Sequence, residues 1–145
     1  MKDVLLTPEE TTEIVGVLLD AAHISENEEQ FKIKAEGILE RLCGSRNIFW
    51  NSYTYEHSFK SGSKRVDAVH GSTIIEYEPP CSFNSSENAQ LRHARIQAEE
   101  YAELLSEEEG RHINKYSLVA WDGETITFGW RSEERFTWEP ARTFD

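Results

Sequence analysis

The chain has 145 residues and a formal net charge of −12, which arises from 27 acidic and 15 basic residues. Its length fits one domain with a core of its own, so we interpret residues 1–145 as a single domain, either complete or excised from a longer polypeptide. Cationic side chains supply much of the affinity for nucleic acid, so this charge argues against an autonomous, high-affinity DNA-binding module. No apolar run approaches the roughly 20 residues of a membrane span, and the N-terminus lacks the apolar segment of a signal peptide. We therefore expect a soluble protein of the cytoplasm.

Two helices are predicted in the first third of the chain. Residues 7–10 carry a capping box with a proline in the first helical turn, and the apolar pattern continues to about residue 22. Ser25 and Glu28 repeat the capping-box spacing and predict the start of a second helix. Gly44 is the expected end of that helix, because glycine adopts the left-handed conformation of a C-cap without strain.

Short strands are predicted in the middle of the chain. Residues 48–50 and 53–55 are rich in aromatic side chains and predict a first strand. Residues 65–80 read as two short apolar strands joined at His70-Gly71. Such strands, connected by a tight turn, are expected to pair as a hairpin.

A third helix is predicted after the polar residues 84–87. Either Ser85 or Ser86 is expected to cap its N-terminus, and its apolar stripe runs to about Leu105. Gly110 is expected to terminate it.

The last part of the chain predicts further strands. Residues 115–121 and 125–130 flank Asp122-Gly123, a strong hairpin turn, and a short strand follows near residues 136–140. The predicted fold is therefore α/β, or α+β by some definitions: a central mixed sheet of about five strands with helices on both sides.

Three carboxylates occupy the two central strands, where neutral side chains would be expected. Side chains alternate along a strand, so Glu76 and Glu78 share one face, and pairing of the strands brings Asp67 near Glu76. Clustered carboxylates repel one another unless a proton or a cation neutralises them. A divalent ion with a preference for oxygen ligands, Mg²⁺ or Mn²⁺, suits such a cluster. The alternative interpretation is an edge strand with a solvated acidic face.

The order of these residues carries a family resemblance. Asp67, then Glu76-x-Glu78 on the next strand and Gln97-x-x-x-Tyr101 on the following helix, resembles the PD-(D/E)XK nuclease superfamily and the QxxxY motif of its RecB-like branch. The resemblance spans roughly residues 25–130 and implies a restriction endonuclease-like core. Residues 75–80 also resemble the N-terminal nuclease-like domain of restriction-modification and DNA methyltransferase polypeptides.

The resemblance implies Mg²⁺- or Mn²⁺-dependent hydrolysis of DNA phosphodiesters in a restriction or other host-defence system. The metal ligands that it implies are Asp67, Glu76, the carbonyl of Tyr77 and, from the second helix, Glu36. In the catalytic set, which also includes Asp67 and Glu76, Glu78 would orient or deprotonate the attacking water. Gln97 would hydrogen-bond near the nucleic-acid backbone or the metal-bound water, and Tyr101 would pack beneath it.

One residue departs from the family pattern. Glu78 stands where the family usually has lysine, and Lys64 is a candidate for supplying an ammonium group from elsewhere. The departure leaves open a catalytically degenerate module for DNA contact or protein assembly. The overall negative charge leaves open a second alternative, a protein-interaction domain whose acidic surface meets a basic partner. DNA remains the expected partner, with help from neighbouring domains or subunits, and homo-oligomerisation stays open.

The distribution of basic and sulfur-containing residues completes these predictions. Basic side chains flank the proposed site: Lys60, Lys64, Arg65, Arg92, His93 and Arg95. Cys43 and Cys81 are the two cysteines, and neither has a metal-ligand spacing to another cysteine or to histidine. We therefore expect two reduced thiols and no zinc site.

Overall fold

The computed structural model describes residues 6–45, 55–58, 65–83 and 88–144, with the side chains of residues 55–58, 65 and 66 left aside. The helices of these segments are α1 (Pro8–Ile24), α2 (Glu28–Ser45), α3 (Ala89–Glu109) and a 3₁₀ turn at Ile113–Lys115. The strands are β1 (Tyr55–Ser58), β2 (Arg65–His70), β3 (Thr73–Tyr77), β4 (Ser117–Trp121), β5 (Thr125–Ser132), β6 (Arg135–Trp138) and β7 (Arg142–Thr143). None of the described helices combines the length and the apolar character that crossing a membrane requires.

The described strands form one mixed sheet, as the sequence predicts. Their order is β1-β2-β3-β4-β5-β6, and the short β7 pairs with β5. The β3–β4 pair is parallel, and the other pairs are antiparallel. A parallel pair needs a long crossover connection, and α3 supplies it by packing on β3 and β4. The predicted class, a mixed sheet flanked by helices, is confirmed.

Helices cover both faces of the sheet because successive strand residues point to opposite sides. On one face, Ile74 and Leu118 pack against α3 residues such as Ala98 and Leu105. The opposite face packs against α1 and α2, and its core members are Ala22, Phe31, Ala35, Ala68, Ile75, Tyr77, Val119 and Trp121. This alternation assigns Glu76, between Ile75 and Tyr77, to the α3 face.

The boundary between α1 and α2 differs from the prediction. The capping box of Thr7 and Glu10 is present as predicted. Ser25, however, ends α1 instead of opening α2: its N–H donates to the carbonyl of Ala22. Asn27 caps α2, since its Oδ1 accepts from the N–H of the residue three positions on at 2.9 Å. The predicted N-cap was therefore wrong, and α2 also continues one residue past Gly44, to Ser45.

The boundaries of the later elements are closer to the predictions. Asn88 caps α3 through its side chain, so the prediction of Ser85 or Ser86 was wrong by two or three residues, while Gly110 ends the helix in the left-handed conformation as expected. Strand β4 begins at Ser117, because the preceding residues form the 3₁₀ turn. The first predicted strand, at residues 48–50 and 53–55, lies outside the described residues except for its last position.

Candidate metal-binding carboxylate site

The site lies where β2 and β3 separate. Their pairing runs from His70–Thr73 to Ala68–Ile75. Beyond that point the N–H of Tyr77 donates to Oδ2 of Asp67 at 2.9 Å. The aspartate therefore takes up a backbone donor at the open end of the hairpin, and this hydrogen bond orients its carboxylate.

Glu76 is a buried acid of the site with a strongly raised pKa. Its side chain is 5% exposed, and its Oε2 has no hydrogen-bond partner in the described part of the chain. Burial, together with the negative charges of Asp67, Glu78 and Glu28, raises the pKa of Glu76 to about 10, although the charge of Lys32 acts in the opposite direction. Without a cation, this carboxyl holds its proton at neutral pH.

Glu78 lies beside an amide that the sequence analysis did not assign. The Gln90 side chain, in the first turn of α3, donates a hydrogen bond to Oε2 of Glu78. The pKa of Glu78 is raised to about 7, because burial and the charges of Asp67 and Asp122 outweigh the lowering by the Gln90 hydrogen bond. Glu78 is thus a carboxylate that changes charge near neutral pH, the range that suits a general base.

Helix α2 contributes two residues that the sequence analysis also missed. Glu28, in its first turn, has a pKa raised to about 7 by burial and by the charges of Asp67 and Glu78. Lys32, one turn later, is 2% exposed, and its Nζ lies 3.9 Å from Oδ1 of Asp67 and 3.0 Å from Oε2 of Glu29. A buried ammonium group therefore faces the acids, and we refer to Glu28, Asp67, Glu76 and Glu78 as the carboxylate cluster.

The two residues of the predicted motif on α3, Gln97 and Tyr101, differ in their burial. Tyr101 is 7% exposed, and burial followed by the charges of Glu76 and Asp67 raises the pKa of its phenol, so its hydroxyl lies within the field of the cluster. Gln97 lies half-buried one turn earlier on α3. The amide seen to contact the cluster is that of Gln90, which shares a helix face with Gln97 and Tyr101 at positions i, i+7 and i+11.

Glu36 has a different partner from the one predicted. Its fully buried carboxylate has both oxygens 2.9 Å from Nε2 of His70, the last residue of β2. Among the charges that raise the pKa of Glu76, the one from α2 is that of Glu28. Metal ligation by Glu36 stays a prediction, and Glu28 is the α2 acid whose charge acts on Glu76.

The basic residues expected around the site differ in their exposure and in their partners. Arg92 and His93 are exposed on α3. Arg95 instead bonds to Oγ1 of Thr127 at 2.9 Å and to the carbonyl of Glu139 at 3.1 Å, so it fastens α3 to the sheet. Lys60 and Lys64 lie outside the described residues, as does the side chain of Arg65. Among the described residues, Lys32 supplies the ammonium group near the acids that the sequence analysis expected from Lys64.

The residue types of the carboxylate cluster suit a hard divalent cation, but among the described residues no three of its acids have ligand oxygens within 4.8 Å of one another, so they would have to move closer together to hold an ion. Carboxylate oxygens are the preferred protein ligands of Mg²⁺ and Mn²⁺. The unpartnered Oε2 of Glu76 and the raised pKa values of three cluster acids both reflect negative groups in need of a counter-charge. Asp67, Glu76 and Glu28 are the residues that would hold such an ion, with Glu78 and Gln90 beside them.

Comparison of the chain with protein-family models, with curated proteins and with solved structures gave no match.

Proposed function

We propose that this protein is a metal-dependent nuclease of the PD-(D/E)XK type that hydrolyses phosphodiester bonds in DNA. The observation that carries the proposal is Glu76, a residue 5% exposed, with one carboxyl oxygen unpartnered among the described residues. Its acidic neighbours lie on β2, on α2 and directly after β3. A purely structural carboxyl at this position would be expected to have hydrogen-bonding partners. A divalent ion at the cluster would supply a Lewis acid for the phosphate and would lower the pKa of a bound water.

The residues around the cluster have separable roles in this proposal. Asp67 is oriented by the Tyr77 N–H and, with Glu76 and Glu28, would provide the ligand oxygens. Glu78, with a pKa of about 7, would accept a proton from the attacking water. Asp67 and Gln90 have partly exposed side chains, so the phosphate would approach the cluster from their side.

Lys32 is our candidate for the ammonium group that the family pattern places at the position of Glu78. In the family pattern, a lysine at the position of Glu78 would place an ammonium group directly after β3. Here the Lys32 ammonium group approaches the acids from α2 and lies 3.9 Å from Asp67. Its charge lowers the pKa values of Glu76 and Glu28, which favours the ionised forms that bind metal. We propose that Lys32 balances the charge of the cluster and stabilises the phosphate in the transition state.

A second candidate is a degenerate nuclease module that contacts DNA or assembles with partners without cleaving. The observation that favours it is Glu78 itself, because an additional anion faces the approaching phosphate. The overall charge of −12 favours, in either case, affinity for DNA that is borrowed from neighbouring domains or subunits. A restriction or host-defence context remains part of the proposal on the strength of the sequence resemblance.

A cleavage assay with matched variants tests the proposal. Supercoiled DNA, linear DNA and RNA are incubated with the protein in Mg²⁺, in Mn²⁺ and in EDTA. Asp67→Asn and Glu76→Gln should abolish cleavage, Glu78→Gln should slow it by roughly 10²- to 10⁴-fold, and Lys32→Met should lower it strongly. Glu103→Gln, an exposed position on α3, is the control and should cleave as the wild type does.

Two outcomes would decide against the active-nuclease proposal. Wild-type cleavage that survives Glu76→Gln would mean that the cluster is not the active site. A wild type that is inactive with both metals, but becomes active on Glu78→Lys, would establish the degenerate module instead.

A further inference from the structure

A second group of metal-ligating side chains lies apart from the carboxylate cluster. His23 comes from the last turn of α1, Cys81 from the loop after β3, and Glu124 from the turn between β4 and β5. Sγ of Cys81 lies 2.7 Å from Oε2 of Glu124, and Nε2 of His23 lies 3.9 Å from the same oxygen. One ligand atom from each of the three residues lies within 4.8 Å of the other two.

These separations are close to those of a tetrahedral zinc site. Zinc–ligand bonds of about 2.0 to 2.3 Å at tetrahedral angles place ligand atoms about 3.4 to 3.6 Å apart. The sulfur and the imidazole nitrogen would each need to move by less than about 1 Å relative to the carboxylate oxygen. The side chains of His23 and Glu124 are 55% and 32% exposed, so they are free to make this adjustment, and an ion has access from solvent.

The backbone holds the three segments together without any ion. The side chain of Asp122 accepts hydrogen bonds from the N–H groups of Phe83, Glu124 and Thr125 at 2.6 to 2.9 Å. The N–H of Cys81 donates to the Asp122 carbonyl at 3.3 Å. This fully buried aspartate therefore joins the loop after β3 to the β4–β5 turn and fixes the spacing between Cys81 and Glu124.

Helix α1 is brought to the same place by close packing. A Cβ atom added to Gly123 would lie 2.3 Å from Cβ of Ala22, so only glycine allows the helix to approach the turn this closely. His23 follows Ala22 directly and thus lies beside Glu124. Cys81 itself has a left-handed φ of 60°, a conformation that is costly for a residue with a side chain and that is often retained at functional sites.

We propose that His23, Cys81 and Glu124 form a binding site for a zinc-class divalent ion, with water as the fourth ligand. An imidazole, a thiolate and one carboxylate suit Zn²⁺ or Co²⁺, whereas Mg²⁺ prefers an all-oxygen environment such as the carboxylate cluster. In the metal-free protein the Cys81 thiol donates a hydrogen bond to Glu124; on binding, the ion replaces the thiol proton, which is released to solvent. The bound ion would fasten the end of α1 to the two loops.

Cobalt titration tests the site. The full chain is stripped with EDTA, and CoCl₂ is added while the near-ultraviolet absorption that a thiolate–Co²⁺ bond produces is recorded. The wild type should bind one ion with this band, and ZnCl₂ should remove the band by competition. Cys81→Ala should abolish the band, and Cys43→Ala, which changes the other free cysteine, should keep it.

Two further variants keep the test decisive if Cys81→Ala folds poorly. His23→Ala alters an exposed side chain and should weaken Co²⁺ binding by more than the 10- to 100-fold that loss of an outer-shell partner causes. Asp67→Asn should leave the band and the affinity unchanged, which separates this site from the proposed nuclease centre. Absence of the band in the wild type, wild-type binding by His23→Ala, or loss of the band in Asp67→Asn would each overturn the proposal.

Discussion

Replacing Glu76 by glutamine should stabilise the metal-free protein, and the gain should grow as the pH rises. The carboxyl has a pKa of about 10 in the folded protein and an ordinary value of 4.5, so between these values the folded state holds a proton that the unfolded chain releases. Folding is therefore penalised progressively as the pH rises above 4.5. At about 1.4 kcal/mol per pH unit, the penalty is about 3 kcal/mol at pH 7 and below about 1 kcal/mol at pH 5. Glutamine has nearly the same shape and no charge to desolvate.

Equilibrium urea unfolding in EDTA at these two pH values measures the effect. Glu76→Gln should exceed the wild type by about 3 kcal/mol at pH 7 and by far less at pH 5. Glu103→Gln, on the exposed side of α3, should change little at either pH. Mn²⁺ at about 100 times its dissociation constant should add about 2.7 kcal/mol to the wild type at pH 7 and nothing comparable to Glu76→Gln. An equal gain at both pH values, or a loss at pH 7, would refute the assignment of a buried, proton-holding Glu76.

Three further experiments test individual parts of the structure. Gly123→Ala should lose about 2–4 kcal/mol in urea unfolding, because the added Cβ overlaps α1 and φ is 92°, whereas Gly37→Ala, with open space at a helical position, should gain about 0.5–1 kcal/mol. Glu36→Ala should cost about 3 kcal/mol by stranding its buried histidine partner while Mn²⁺ affinity stays unchanged; a loss of Mn²⁺ affinity would make Glu36 a ligand. Gln90→Ala removes a hydrogen bond that lowers the pKa of Glu78, so the acid limb of the kcat/KM profile should move to higher pH, and an unmoved limb would contradict Glu78 as the base.

The elements that local chemistry specifies were the ones predicted well from the sequence. The capping box at Thr7 and the left-handed glycine at position 110 need only neighbouring residues, and both are present. The same capping-box spacing at Ser25 predicted the wrong N-cap for α2. Three residues separate the two helices there, and the N–H of Ser25 donates to the Ala22 carbonyl at the end of α1. A local pattern that fits both a start and an end is decided by which backbone groups lack a partner after packing.

The site was predictable where it depends on strand alternation and not where it depends on packing between distant segments. Asp67 and Glu76 follow from the two-residue repeat of β2 and β3. Lys32 and Glu28 join them because α2 starts over the open end of that hairpin, an arrangement that no spacing within α2 reveals. Gln90 was accessible to sequence reasoning, since it shares the helix face of Tyr101.

If the carboxylate cluster binds a divalent ion, as proposed, metal binding and the stability of the metal-free fold should respond to pH in opposite directions. Burial of Glu76, Glu78 and Glu28 raises all three pKa values to about 7 or above, so in the absence of metal the cluster is neutralised largely by protons and the charge of Lys32. An entering divalent ion must displace those protons, and apparent metal affinity should therefore rise with pH through the neutral range, while the stability of the metal-free fold falls. Burial makes the acids costly to ionise, and it also lowers the local dielectric constant. A bound ion would therefore attract the carboxylates and a phosphate more strongly than it would in water. A structural acidic patch on a solvated strand would show neither trend, because its carboxylates would already be ionised at pH 7.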